Sequence, residues 1–282
     1  MDDNLVKYVI RATVPREIRN WIRSPSRSFR WLWDSLQFSL GAKKSVRLSP
    51  DWSPICHPIA YRALSEAQIG YPDHAQEFLS FLSHCSNKMF LFDIGAHFGT
   101  FSLTTAHFGG TAIAVDASSI ATRMIAKQAA LNGLTDKIRI IQAAVSHAGG
   151  TLEVLTSGAF SLGFCKVDSG GPKRGQTRIK AITIDQMVSQ FGAPTHIKID
   201  VEGYESSVLR GGRETLSQHG PLLFLELHNE LVKLDGGDPV WALEELERLG
   251  YSAQSFDGRT LSRSEMLSRP IMHIIAAHAG SS

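Results

Sequence analysis

Between residues 89 and 277, short apolar runs alternate with segments of helical spacing, and this alternation constrains the fold more than any other feature of the chain. The runs are MFLFDI (89–94), TAIAVD (111–116), KIRIIQ (137–142), TLEVLT (151–156), TRIKAIT (177–183), HIKID (196–200), PLLFLEL (221–227), YSAQSF (251–256) and IMHIIAA (271–277). Strands that are apolar throughout must be covered on both faces. Joined through helices, they imply a parallel sheet with right-handed crossovers. The expected fold is α/β: a doubly wound, mostly parallel seven-stranded sheet with a helical N-terminal extension.

The helix punctuation agrees. One helix is predicted to start near Ser118 or Ser119 and to end at Asn132-Gly133, with Ile120, Met124 and Leu131 as its apolar stripe. Another takes Asp238 as N-cap and Pro239 as first residue, and ends at Gly250. In HAQEFLSFLSH, Phe78, Leu79 and Leu82 recur at helical spacing.

The spacing divides the chain into an extension, residues 1–87, and an α/β domain, residues 88–282. The first 47 residues hold ten Lys or Arg against four Asp or Glu, whereas the rest of the chain is net acidic. Trp21, Trp31 and Trp33 alternate with arginines, and Pro15 and Pro25 interrupt the segment. Short basic, aromatic helices of this kind either cap the body or lie on a membrane surface. The prolines prevent one long interfacial helix and favour the cap, with peripheral membrane contact as the other reading. No nucleic-acid partner is expected. Cys56, Cys85 and Cys165 are scattered and form no CxxC pair, so neither a zinc knuckle nor a redox pair is expected. With no leader pattern and no membrane-length apolar run, the expected location is the cytoplasm.

Ligands of doubly wound sheets sit outside the carboxyl ends of the strands. After the first run comes FDIGAHFGTFSL, in which Gly95 and Gly99 flank a tight turn. The pattern Asp-x-Gly-x-x-x-Gly is not the Gly-x-Gly-x-x-Gly of dinucleotide folds, whose pyrophosphate rests on a helix N-terminus. Acidic Asp93 would repel a pyrophosphate but suits the cationic amino acid tail of S-adenosylmethionine. Asp116 ends the second run, 21 positions after Gly95, about where an acid accepts both ribose hydroxyls. Gln142, Ala143 and Ala144 follow the third run, where small side chains leave room for adenine.

Lys198, Asp200, Glu202 and Glu205 crowd the end of HIKIDVEGYE. Glu205 at a helix start is explained by the helix dipole. Asp200 closes an apolar strand, where it would hold the methionine part, a substrate hydroxyl or a metal ion. Two carboxylates do not define a metal site, and no metal is expected. In FLELHNE, Glu226 and His228 share one face by the period of two. His228 is placed to take a proton from an acceptor hydroxyl.

Together FDIGAHFGTFSL, AVDASS, ITIDQM, IKIDVEGYESSVLRGG and LLFLELH resemble the FkbM-type methyltransferases over residues 88–277. The resemblance implies a class I methyltransferase fold, S-adenosylmethionine as donor and O-methylation of a natural product, sugar or related metabolite, such as a glycan, polyketide or lipid-linked hydroxyl compound. It places Asp93, Gly95, His97 and Gly99 at the methionine end of the donor, Asp116 on the ribose, and Gln142 and Ala143 beside the adenine. Asp200, Glu226 and His228 are the catalytic candidates, with Glu202 and His228 contacting the acceptor. Two positions depart from the family pattern: His97 stands where Asn is frequent, and Asp116 where Glu is commoner. Two rival readings are a nucleotide-dependent oxidoreductase and a non-catalytic binding module that keeps the fold.

Overall fold

The computed structural model describes residues 36, 44–57, 60–61, 72–156, 165–167, 176–234 and 236–280. The basic segment with Trp21, Trp31 and Trp33 lies outside the described residues. In chain order the elements are β1 (Lys44–Ser45), β2 (Ile55–Cys56), α1 (Pro72–His84), β3 (Phe90–Ile94), α2 (Thr100–His107), β4 (Thr111–Asp116), α3 (Ser119–Leu131) and β5 (Ile138–Gln142). Next come β6 (Ala144–Val145), β7 (Gly150–Thr156), β8 (Cys165–Val167), β9 (Gln176–Ile182), α4 (Ile184–Phe191), β10 (His196–Ile199), α5 (Glu205–Arg210) and α6 (Arg213–His219). The chain continues through β11 (Leu222–Leu227), α7 (Asn229–Leu234), α8 (Val240–Arg248), β12 (Tyr251–Gln254), α9 (Arg263–Leu267) and β13 (Met272–His278).

Among the described residues the main sheet has seven strands in the order β12-β13-β11-β10-β3-β4-β5. β3, β4, β5, β10 and β11 pair in parallel, and β13 runs antiparallel to β11 and β12. The central strands are covered on both faces: Phe92, Ile197 and Leu223 are fully buried on one, Leu91 and Phe224 on the other. Burying each such side chain contributes roughly 1.5–3 kcal/mol.

Two of the nine expected strands join a different sheet. The runs 151–156 and 177–183 became β7 and β9, which pair antiparallel with each other in a four-stranded sheet ordered β6-β9-β7-β8. Their sequence explains it: along β9, Arg178 and Lys180 face solvent while Ile179 and Ala181 are buried. A strand that is wet on one side suits an antiparallel sheet and not the centre of a doubly wound one.

Helix punctuation was legible. Ser118 caps α3, its Oγ accepting from the Ile120 and Ala121 amides at 3.2 and 3.3 Å, and Asn132 closes it. The Val240 amide donates to Asp238 Oδ1 at 3.0 Å, so Asp238 caps α8 although the regular helix starts one residue after Pro239. In α1 the inward residues are Phe78 and Phe81, and Leu79 points to solvent. Phe81 meets Phe101 and Phe224 edge-to-face at 4.8 and 5.2 Å, which docks α1 on the sheet. Among the described residues no helix is long and apolar enough to cross a membrane.

Candidate active site

The strand order reverses between β3 and β10, and a crevice opens outside the carboxyl ends of strands at such a point. Here it is a cleft of about 710 Å³ of open space, lined among others by Gly95, His97, Asp116, Ala143, Ala144, Val145, Asp200, Glu202 and Tyr204. Val154 of the second sheet also lines it, so the antiparallel insert supplies one wall.

The first flank is built from backbone. After β3 the Gly95 and Ala96 amides donate to the Val115 carbonyl at 2.9 and 3.1 Å, turning the loop across the end of β4. Gly95 has φ +79°, and a Cβ there would stand 1.7 Å from the Asp200 carbonyl oxygen. Only glycine allows both the left-handed conformation and this approach. His97 follows with φ +47°, a conformation that His tolerates better than most residues, as Asn does. Its amide donates to Asp116 Oδ2 at 2.8 Å, and the Ser118 amide donates to Asp116 Oδ1 at 2.7 Å. Each carboxylate oxygen can accept twice, so Asp116 is held by the chain and keeps one lone pair per oxygen for a ligand. Burial lifts its carboxyl above the usual range to about 6, against the pull of the two amides.

Three expected donor contacts fall elsewhere. Asp93 is buried beneath the loop, where its Oδ2 accepts from the Ser102 amide at 3.0 Å and the Ser102 hydroxyl at 2.6 Å. It braces the start of α2 and does not face the cleft, because two donors in the first turn of α2 capture its carboxylate. Burial pushes it up to about 6, with the Ser102 hydrogen bonds opposing. Gly99 packs against Ile125 with φ +78°, so its role is the turn itself. Gln142 has an exposed side chain outside the cleft, whereas Ala143 lines it.

The second flank is built from charge. His228, 2% exposed, stands in a ring of carboxylates. Its Nδ1 meets Glu205 Oε1 at 2.7 Å, and its Nε2 lies 3.3 Å from Glu226, 3.7 Å from Glu202 and 3.8 Å from Asp200. The period of two therefore did bring Glu226 beside His228, and Asp200 and Glu202 to one side. Burial disfavours the imidazolium, but Glu205 and Glu226 outweigh it and hold the His228 pKa well above its ordinary value. His228 does not line the cleft, and both of its ring nitrogens face acids, so an acceptor hydroxyl in the cleft does not meet it directly. The base expected at this position thus stands behind Asp200 and Glu202, which border the cleft. Asp200 borders cleft and cluster together, its side chain one third exposed. Partial withdrawal from water and nearby Glu226 raise its carboxyl well above the usual range, against Lys198 and His228.

Below this ring lies Lys198, 2% exposed, with Nζ 2.8 Å from Glu77 Oε1 and 3.8 Å from Glu226 Oε2. Burial opposes its charge, yet Glu77, Asp200 and Glu226 keep the ammonium above its usual range. His273 Nδ1 meets Glu77 Oε2 at 3.1 Å. Glu77 sits on α1, 121 positions before Lys198, so no spacing rule finds it. Glu205, explained from sequence by the helix dipole, is the buried partner of His228 and also accepts from the Gly203 amide at 2.9 Å.

A glycine turn, an acid one strand over and a carboxylate-rich edge meet at the switch point of this mostly parallel seven-stranded sheet. The family described as "Methyltransferase FkbM domain" matches residues 93–253, more than half of the chain. The chain belongs to the FkbM methyltransferase family. Similar solved structures include an FkbM methyltransferase from Methylobacillus flagellatus KT, at 16% identity with TM-score 0.46 over 68% of this chain and 44% of that one. The match thus spans under half the length of that protein. Others are precorrin-6y C5,15-methyltransferase from Geobacter metallireducens GS-15 (12% identity, 72% and 87% covered, TM-score 0.43) and an O-methyltransferase from Bacillus cereus in complex with SAH (13% identity, 96% of each chain covered, TM-score 0.39). No curated protein matches the chain.

Proposed function

We propose that this methyltransferase uses S-adenosylmethionine to methylate a hydroxyl oxygen of a small molecule, such as a natural product, a sugar or a related metabolite. The observation that carries the reading is Asp116. It faces the cleft with both oxygens gripped by loop amides at 2.7 and 2.8 Å, across from a glycine that no other residue can replace. The free lone pairs of Asp116 suit a ribose diol. Ala143, Ala144 and Val145 offer a small apolar wall for a flat ring. Asp200 and Glu202, each about one third exposed, supply the negative charge that an amino acid tail or a sulfonium favours. Asp93 does not serve that purpose.

The donor supplies an electrophilic methyl group on a positively charged sulfur. The protein's part is mostly alignment of acceptor oxygen, methyl carbon and sulfur in a line. As the oxygen–carbon bond forms, the carbon–sulfur pair returns to sulfur and the hydroxyl proton leaves. Asp200, the carboxylate shared by the cleft and the charged ring, accepts that proton. His228, Glu226 and Glu205 hold the edge in place and balance its charge.

The test is a titration of the purified chain with S-adenosylhomocysteine and with NAD, followed by transfer of labelled methyl to a pool of hydroxyl compounds. Binding of the sulfur nucleoside alone, with label appearing as an alkali-stable ether, supports the reading. Binding of NAD instead sends the cleft to redox chemistry. Nucleoside binding without transfer to any pool leaves a binding module.

A further inference from the structure

We propose that Asp200, Glu226 and His228 form a divalent-cation site on the inner edge of the cleft, with Glu202 at its rim. Ligand atoms of the first three all lie within 4.8 Å of one another. Around His228 Nε2, Glu226 Oε1, Glu202 Oε2 and Asp200 Oδ1 stand at 3.3, 3.7 and 3.8 Å. Ions bound by imidazole and carboxylate at about 2.0–2.2 Å set neighbouring ligand atoms roughly 3–3.5 Å apart, so the imidazole-to-carboxylate spacings here are close to those of a filled shell.

Two independent observations point to a ligand rather than to a plain acidic patch. The first is Glu226. It is 95% buried by its 5% side-chain exposure, yet its contacts to His228, His273 and Lys198 are 3.3, 3.7 and 3.8 Å, all longer than a charged hydrogen bond of about 2.7–2.9 Å. A carboxylate this buried ordinarily accepts short hydrogen bonds. Its Oε2 faces Lys198 and His273, and its Oε1 faces His228 Nε2, none of them at a short hydrogen-bond distance. The second is the backing of the ring. Glu205, also buried, takes Nδ1 at 2.7 Å and so directs Nε2 at the acids, the carboxylate–histidine arrangement that orients metal-binding imidazoles.

The exposed third of Asp200 and Glu202 gives an ion a way in from the cleft. A second grouping, His74, Glu77, Glu226 and His273, has the same residue types. There the Lys198 ammonium, 2.8 Å from Glu77, already supplies the positive charge. One imidazole with carboxylates and open positions suits Mn²⁺ and ions like it. The binding of the ion stands apart from the methyl-transfer reading. Its use, polarising an acceptor hydroxyl so that Asp200's second oxygen takes the proton, rests on that reading.

The experiment titrates the metal-stripped full chain with Mn²⁺, following free ion by electron paramagnetic resonance and bound ion by pulsed detection of nitrogen coupling. The expected result is one saturable ion per chain, coupled to one imidazole nitrogen. Glu226→Gln and His228→Gln should each weaken binding by at least about tenfold. No binding, binding without nitrogen coupling, or undiminished affinity in both folded variants overturns the site. Should the variants not fold, the nitrogen coupling of the unaltered chain decides. Titrating the same samples with S-adenosylhomocysteine separates the two proposals. Coupled manganese in a chain that takes no sulfur nucleoside upholds the cation site and overturns the donor reading.

Discussion

The two flanks of the cleft are held by opposite means. On the β3–β4 side, backbone amides of the loops after the two strands fix one acid, Asp116, and Gly95 lets the first loop pass against the Asp200 carbonyl. On the β10–β11 side, side-chain charges from α1, β10, α5, β11 and β13 fix one another: Glu77, Lys198, Glu205, Glu226, His228 and His273. A backbone-built flank is rigid and tolerates little change in shape. A charge-built flank tolerates shape change but not the loss of one member, because a buried charge left alone is costly.

Substitutions break this contrast in a graded way. Gly95→Ala should have the largest effect: its Cβ meets the Asp200 carbonyl at 1.7 Å and joins both flanks at fault. Calorimetry should register loss of S-adenosylhomocysteine affinity by more than about a hundredfold, roughly 2.7 kcal/mol or more. Affinity within a factor of three of the unaltered chain would show that the loop relaxes around the methyl group. Next, Lys198→Met takes the buried ammonium away from Glu77 and Glu226. Urea denaturation should find about 3–5 kcal/mol less stability, while Asp116 and its amides remain in place. A loss under 1 kcal/mol on that same scale would mean the network re-pairs without the ammonium.

Asp116→Ala reverses the pattern, sparing the fold and weakening donor-product binding by more than about tenfold, since charged hydrogen bonds are worth about 1.5–3 kcal/mol. The smallest effect is expected for Asp93→Asn, which keeps an oxygen for Ser102 but removes the ionisable group. Asp93 has its pKa raised from 3.8 to about 6. The folded state therefore holds the proton more tightly than the unfolded chain. Its contribution is full below about pH 4 and is lost as pH rises through about 6. The variant should be indistinguishable from the parent near pH 4 and gain on the order of 1 kcal/mol above pH 6, read as a melting-temperature difference that grows with pH. A difference constant across that range refutes the assignment.

The contrast between flanks also marks how far sequence reasoning reached. All nine strand positions and the caps at Ser118 and Asp238 were readable because each depends on residues close together in the chain. The period of two placed Glu226 with His228. It did not reveal that Glu205 lies under the ring, or that Glu77 reaches the same network from α1. Nor did it show which way Asp93 turns, since the first turn of α2 offers two donors that outcompete a ligand.

The amino-acid sequence by itself determined the alternating β and α elements, the glycine turn and the acid beyond it, because local sterics and periodic hydrophobicity act over a few residues. The tertiary structure alone decided that β7 and β9 leave the main sheet and that β7 walls the cleft, that His228 sits among four carboxylates, and that a lysine of β10 neutralises an acid from α1. Electrostatic balance inside a protein is set by which charges packing brings within a few ångströms, and that distance is not written in any spacing along the chain.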